Sequence, residues 1–125
     1  MNREPMSPAA TIITPGQFNR RAELYHQLAQ LTAAGLPLLS ALEQLELHPP
    51  ARSFQEPLSR MRQAIAAGFT FSEAIARSGD WIAPFDLALI DAGERSGRLD
   101  TCFRLLAQHY AERGRMVRRM IGDLA

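Results

Sequence analysis

The side chains best suited to chemistry in this sequence gather around one glycine corner. In Ala92-Gly93-Glu94-Arg95-Ser96-Gly97-Arg98-Leu99-Asp100 the carboxylates of Glu94 and Asp100 and the Ser96 hydroxyl stand close together. With nearby carbonyls they make the kind of oxygen-rich loop that calcium accepts. Two side-chain carboxylates fall short of a full ligand set, so a structural assignment competes: Asp100 sits in the first turn of a helix, where the dipole favours negative charge, and Glu94 closes the preceding helix against an arginine. Cys102 and His109 are a thiol and a base, but on one helix their spacing puts them about 10 Å apart along the axis, beyond hydrogen-bond reach. Core packing is the better account of Cys102. His26, His48 and His109 share no metal-ligand spacing. The G-E-R-S-G run lacks the lysine that a phosphate-binding loop places after its second glycine. No catalytic residue can be assigned, and the sequence predicts a protein without enzymatic activity.

Composition limits the scaffold that could hold such residues. At 125 residues and 46% hydrophobic, the chain can bury one core of ordinary size. Its 14 basic residues are all arginines, set against 13 carboxylates for a net charge of +1, a balance that creates no general field for nucleic acid. The lone Cys102 makes no internal disulfide, which sets a reducing compartment as the default. No stretch approaches the roughly 18 apolar residues of a membrane span.

The punctuation is helical throughout. Residues 1–16 carry Pro5, Pro8 and Pro15 among small and polar residues and read as a disordered leader. From Gln17, apolar residues recur at mostly three- and four-residue steps through Phe18, Leu24 or Tyr25, Leu28 and Leu31, and Gly35 ends that helix. Pro37 opens a second helix that runs to about Leu47, and His48-Pro49-Pro50 breaks the chain. A third helix ends at Ala67. Its start has two competing signals, a Ser53-x-x-Glu56 capping box and a first-position Pro57. Thr70-Phe71-Ser72-Glu73 is a cleaner capping box for a fourth helix over 71–77. Pro84 starts a fifth, with Phe85, Ala88 and Leu89 inward, ending at Gly93 or Glu94. Trp81 roofs the core just before it. The longest helix follows Gly97, its stripe formed by Leu99, Phe103, Leu106 and Tyr110. The expectation is an all-α bundle of six antiparallel helices with Leu28, Leu31, Leu42, Leu89, Leu99, Phe103 and Leu106 buried.

Two charge runs stand out. Residues 80–100 hold five carboxylates and two arginines, a local charge of −3, which reads either as a docking surface for a basic partner or as a solvated loop. From Glu112 to Ala125, four arginines face two carboxylates, a local charge of +2, while Met116, Val117, Met120, Ile121 and Leu124 keep an apolar side. The last helix has no capping signal, so the natural polypeptide is expected to continue beyond residues 123–125. Arginines just before a membrane span would lie at the cytoplasmic surface; an ordinary solvated face is the competing account. The apolar stripe is also the most obvious pairing face for a second copy, predicting weak self-association.

The A-G-L-P-L corner at 34–38, the G-F-T-F-S-E-A-I run at 68–75 and the G-E-R-S-G-R-L-D corner at 93–100, in this order along residues 17–122, resemble the cytoplasmic domain of the type II secretion system F protein and of the inner-membrane platform proteins of type IV pili. The resemblance implies a six-helix bundle at the cytoplasmic face of the bacterial inner membrane, within a polytopic protein that carries two copies of the domain. It also implies a non-catalytic role coupling a hexameric assembly ATPase to pilin or pseudopilin fibre assembly. Some proteins of this kind bind calcium near the Glu94–Asp100 corner. The chain then corresponds to a first domain ending just before its first membrane helix, or to a shorter relative. The alternative is a cytosolic helical regulator of helix-turn-helix type, with Arg113 to Arg119 as its basic face.

Overall fold

The structure, a computed structural model, describes residues 15–124 and, within them, the side chains of residues 16–123. The leader reading falls almost wholly on residues 1–14, outside that range, and so does any continuation past Leu124. Pro15 and Gly16 already belong to the first helix. Six α-helices make up the described chain: α1 (Pro15–Ala33), α2 (Leu38–Leu47), α3 (Gln55–Ala66), α4 (Phe71–Arg77), α5 (Pro84–Ser96) and α6 (Leu99–Leu124), with a turn of 3-10 helix over Arg52–Phe54. There is no strand among the described residues, so the all-α bundle of six helices stands.

The glycine corners do what their positions imply. Gly35 (φ 92) and Gly97 (φ 74) take left-handed backbone just past their helices. That conformation lets Leu36 N–H reach back to the Leu31 carbonyl at 3.1 Å and Arg98 N–H to the Gly93 carbonyl at 2.7 Å, closing the helix ends. Pro37 is the N-cap residue of α2, one position before the helix. Neither start signal for α3 is used. The 3-10 turn seats Phe54 in the core and carries the chain directly into α3 with no side-chain cap, and Pro57 falls at the third helical position, where its missing N–H is still not needed. The α5 helix continues to Ser96, past the expected Gly93 or Glu94, because Gly97 and not Gly93 is the terminating glycine.

The core runs along the α1–α6 pair. These helices are antiparallel: Phe18 meets Tyr110 near the start of α1, and Tyr25 meets Phe103 further on. Leu28, Leu42, Phe103 and Leu106 are 2% exposed or less. Leu31, Leu89 and Leu99 are only partly buried and pack against the edge of that cluster. The inward face of α5 differs from expectation. Phe85 is 63% exposed and Ala88 is exposed, whereas Asp86, Ile90 and Gly93 point inward. Trp81 packs its ring 5.1 Å from that of Phe54 and donates its indole N–H to Ser78 Oγ at 2.8 Å, closing the core before α5.

Candidate functional site

The glycine corner is a structural clasp. Glu94 lies in the last turn of α5, and its carboxylate reaches across to the start of α4. It accepts Phe71 N–H at 2.6 Å, Ser72 N–H at 3.2 Å and the Ser72 hydroxyl at 3.1 Å. The same α4 start carries the expected capping box: Glu73 accepts Thr70 N–H at 2.8 Å, and Thr70 Oγ1 accepts Glu73 N–H at 3.1 Å. The amides of Thr70, Phe71, Ser72 and Glu73 therefore all have acceptors, two from the local box and two from a helix elsewhere in the chain. The sequence position of Glu94 suggests closure of its own helix against an arginine. Its partners are instead backbone amides of another helix, whose positive end favours the carboxylate. Asp100 does occupy the first turn of α6. No group of three or more His, Cys, Asp or Glu side chains is placed to share a metal ion among the described residues.

Behind the clasp, Gly93 lets α5 and α6 touch. A Cβ there would lie 2.3 Å from Cys102 Sγ, which no real contact permits. Cys102 is buried at 6% exposure, its thiol donates to the Leu89 carbonyl at 3.4 Å, and burial pushes the thiol pKa up. It is a core residue, and no thiolate is favoured. His109 lies between the rings of Phe85 and Tyr110.

Sequence reasoning missed the polar centre of the bundle. Asp86 is wholly buried, and its Oδ2 accepts the hydroxyls of Tyr25 at 2.9 Å and Tyr110 at 2.7 Å. The two tyrosine rings stack 5.8 Å apart. Burial, with the neighbouring Asp86 carboxylate, raises both phenol pKa values well above normal. One acid thus ties α1, α5 and α6 together. Its position in the first turn of α5 gave the ordinary signature of a solvated, dipole-favoured residue, so periodicity alone could not flag it.

Part of the acidic run is engaged within the chain. Asp86 is interior, Glu94 is engaged with α4, and Asp91 pairs with Arg95 at 3.1 Å and lies 3.3 Å from the Ser72 hydroxyl. The arginines of α6 are likewise drawn into contacts that a recognition helix would keep free. Arg115 bonds Glu112 at 2.7 Å, Arg118 bonds Asn19 at 2.9 Å, and Arg113 lies over the Phe18 ring at 5.4 Å. Of the apolar stripe, Val117 packs against the core, leaving Met116, Met120 and Ile121 exposed at 46%, 61% and 54%. No helix of the described residues is long and apolar enough to cross a membrane.

A helical bundle whose polar side chains cap, clasp and cross-link its own helices is a structural module. The chain is a member of the type II secretion system protein F family, which it matches over residues 24–124, and this family consists of non-catalytic platform proteins of inner-membrane secretion and pilus systems. It is 34% identical over 112 residues to the protein transport protein HofC homolog of Escherichia coli, covering 87% of this chain and 28% of that protein. It is 40% identical over 81 residues to the type IV pilus assembly protein PilC of Thermus thermophilus, covering 65% of this chain and 20% of that one. It is 30% identical over 98 residues to the type II secretion system protein F of Vibrio cholerae, covering 76% and 23%. The chain thus spans less than a third of each of these relatives. The family match, with the arginines paired on the flank of α6, displaces the helix-turn-helix reading.

Proposed function

We propose that this chain acts as a cytoplasmic domain of an inner-membrane platform protein, coupling an assembly ATPase to the building of a pilin or pseudopilin fibre through protein–protein contacts and without chemistry of its own. What supports the reading is the match to the protein F family over residues 24–124, set on a bundle whose corner residues are occupied with holding helices together. Copies of the domain meet in the assembled platform, and the membrane is reached through a segment C-terminal to this chain. For Glu94 and Asp100 we propose the structural role over calcium ligation, because both Glu94 oxygens already accept hydrogen bonds from α4.

The test has two arms. Purified chain is mixed with the assembly ATPase of its own system, and co-sedimentation is measured in an analytical ultracentrifuge. In cells, the segment encoding residues 17–122 is removed from the gene and fibre assembly or secretion is scored. The reading expects a complex in the first arm and loss of the fibre in the second. It is overturned if fibres assemble normally without the segment, or if the purified chain hydrolyses ATP by itself after contaminating ATPases are excluded.

A further inference from the structure

Beside the Asp86 centre the surface opens into a hollow of about 350 Å³ where α1, α5 and α6 meet. Phe18, Phe85 and Tyr110 give it aromatic walls, His109 and Arg113 stand with them, and Asp86 is one of its lining residues. The rings form a linked set: Phe85 lies 5.7 Å from His109, His109 5.1 Å from Tyr110, and Tyr110 6.1 Å from Phe18. Phe85 is 63% exposed. Asp86 is wholly buried, and its two oxygens are served unequally. Tyr25 and Tyr110 both donate to Oδ2, while Oδ1 has no hydrogen-bond partner. Arg21 on α1 does not supply it: one of its own nitrogens, Nη1, is buried and unbonded, and its guanidinium lies 5.9 Å from the Phe54 ring centroid. A buried carboxylate oxygen without a donor is costly, so a donor brought from outside would be well received there.

From this arrangement we infer that the hollow is a docking site for a lysine side chain of a partner protein, its ammonium bonded to Asp86 Oδ1 and its methylenes lying along Phe18, Phe85 and Tyr110. Aromatic walls attract a cation to their ring faces, and the guanidinium of Arg113, 5.4 Å from the Phe18 ring centroid, already uses one of them in this way. The single free oxygen selects lysine over arginine. A guanidinium fork is matched by both oxygens of a carboxylate, and the tyrosines hold the other one, whereas an ammonium is a point charge that one oxygen can take. The 125-residue sequence contains no lysine, so the ligand comes from outside it and not from a second copy of these residues. Arg113 opposes the incoming charge, but it is exposed and screened by water, while Asp86 acts from a site closed to water. Because Oδ1 is covered in the unoccupied chain, the exposed side chains of Phe85 and Arg113 must swing aside on docking. The inference goes beyond the platform reading and rests on it only in expecting a partner protein.

The experiment is an NMR titration of the isotope-labelled 125-residue chain with Nα-acetyl-lysine methylamide at constant ionic strength. The neutral isostere Nα-acetyl-norleucine methylamide is the control. Backbone amide signals of Phe85, Asp86, His109 and Tyr110 should shift and saturate with the lysine probe and not with norleucine. Phe85→Ala removes an exposed aromatic wall and should weaken binding by about two- to fivefold. Arg113→Gln removes the opposing charge and should tighten binding by about two- to threefold. Asp86→Asn removes the charge that receives the ammonium and should weaken binding by more than about tenfold. If Asp86→Asn unfolds the chain, the other two variants, both at exposed side chains, still decide the matter.

The inference fails if no saturable shift appears at the hollow up to about 100 mM lysine probe, a concentration beyond which a site contributes little to a complex. It fails equally if Arg113→Gln weakens binding, or if Phe85→Ala leaves it unchanged. Tighter binding of Nα-acetyl-arginine methylamide than of the lysine probe would contradict the match to a single oxygen. Binding of Nα-acetyl-glutamate methylamide in place of lysine would make the hollow an anion site formed by Arg113, His109 and the start of α5. Each of these failures leaves the platform reading where it was, since that reading is judged by the complex with the assembly ATPase and by fibre assembly.

Discussion

At the scale of single residues, the side chain that organises this protein is Asp86. A carboxylate with no exposure is tolerated in a core only when donors meet it, and here Tyr25 and Tyr110 both supply O–H groups to one of its oxygens. Tyr25→Phe or Tyr110→Phe removes a hydrogen bond to a charged acceptor while keeping the ring, and each should cost about 1.5–3 kcal/mol in denaturant unfolding. The two losses will not add, because both donors serve the same oxygen. The raised phenol pKa values have a definite sign. In the folded chain both phenols hold their protons to higher pH than in the unfolded chain. That share of stability is complete below about pH 10, the unfolded tyrosine range, and declines as pH rises through the folded values. Thermal melts should therefore fall steeply on the alkaline side, and either phenylalanine variant should flatten that limb. An unchanged alkaline limb in both variants would remove the network from the account.

Between helices, the α4–α5–α6 corner shows what was legible in the sequence and what was not. The Thr70–Glu73 box, the Gly35 termination and the extent of α2 and α4 are local, written within a few residues, and they read directly; the Gly97 termination does not, because Gly93 competes with it as the end of α5. The role of Glu94 depends on a partner more than twenty positions away, and Gly93 depends on Cys102 across a helix crossing; neither leaves a local signature. The inward face of α5 departs from its apolar pattern for a related reason. Phe85 belongs inward by type, yet the polar Asp86 finds a pair of tyrosines and takes the position. Two substitutions test this corner. Glu94→Gln loses the charge and one acceptor oxygen and should destabilise by about 1–2 kcal/mol, with added calcium leaving the wild-type melting temperature unchanged. A rise in that temperature with calcium, lost in Glu94→Gln, would restore the ligand reading. Gly93→Ala forces a methyl against the Cys102 sulfur and should cost about 1–3 kcal/mol, with Cys102→Ala in the same chain recovering part of the loss.

For the molecule as a whole, the fold closes by bringing the first described helix against the last. The apolar period of α1 and α6 was legible, and so was their all-helical character. Their pairing was not, because most of the sequence separates them and no short-range signal records it. The aromatic series Phe18, Tyr110, Tyr25, Phe103 and Phe71 runs through this seam, its neighbouring rings 5.6 to 6.4 Å apart. Stability should therefore depend sharply on where α6 is cut. A chain ending after Val117 loses the exposed Met120 and Ile121 and the surface bond from Arg118 to Asn19, groups whose removal is worth within about 1 kcal/mol. A chain ending after His109 loses Tyr110, and with it one of the two donors to Asp86 and two ring contacts of the series. It also strips α1 of its partner beyond that point. Burial of one large aromatic and a hydrogen bond to a buried carboxyl group together amount to about 4.5–8 kcal/mol, comparable to the whole stability of a small domain at about 5–15 kcal/mol. Circular dichroism and thermal melts should show the longer truncation product folded with a near-native transition and the shorter one largely unfolded at room temperature. Equal stability of the two would mean that α6 past His109 contributes little, and the seam would then have to be drawn elsewhere in the bundle.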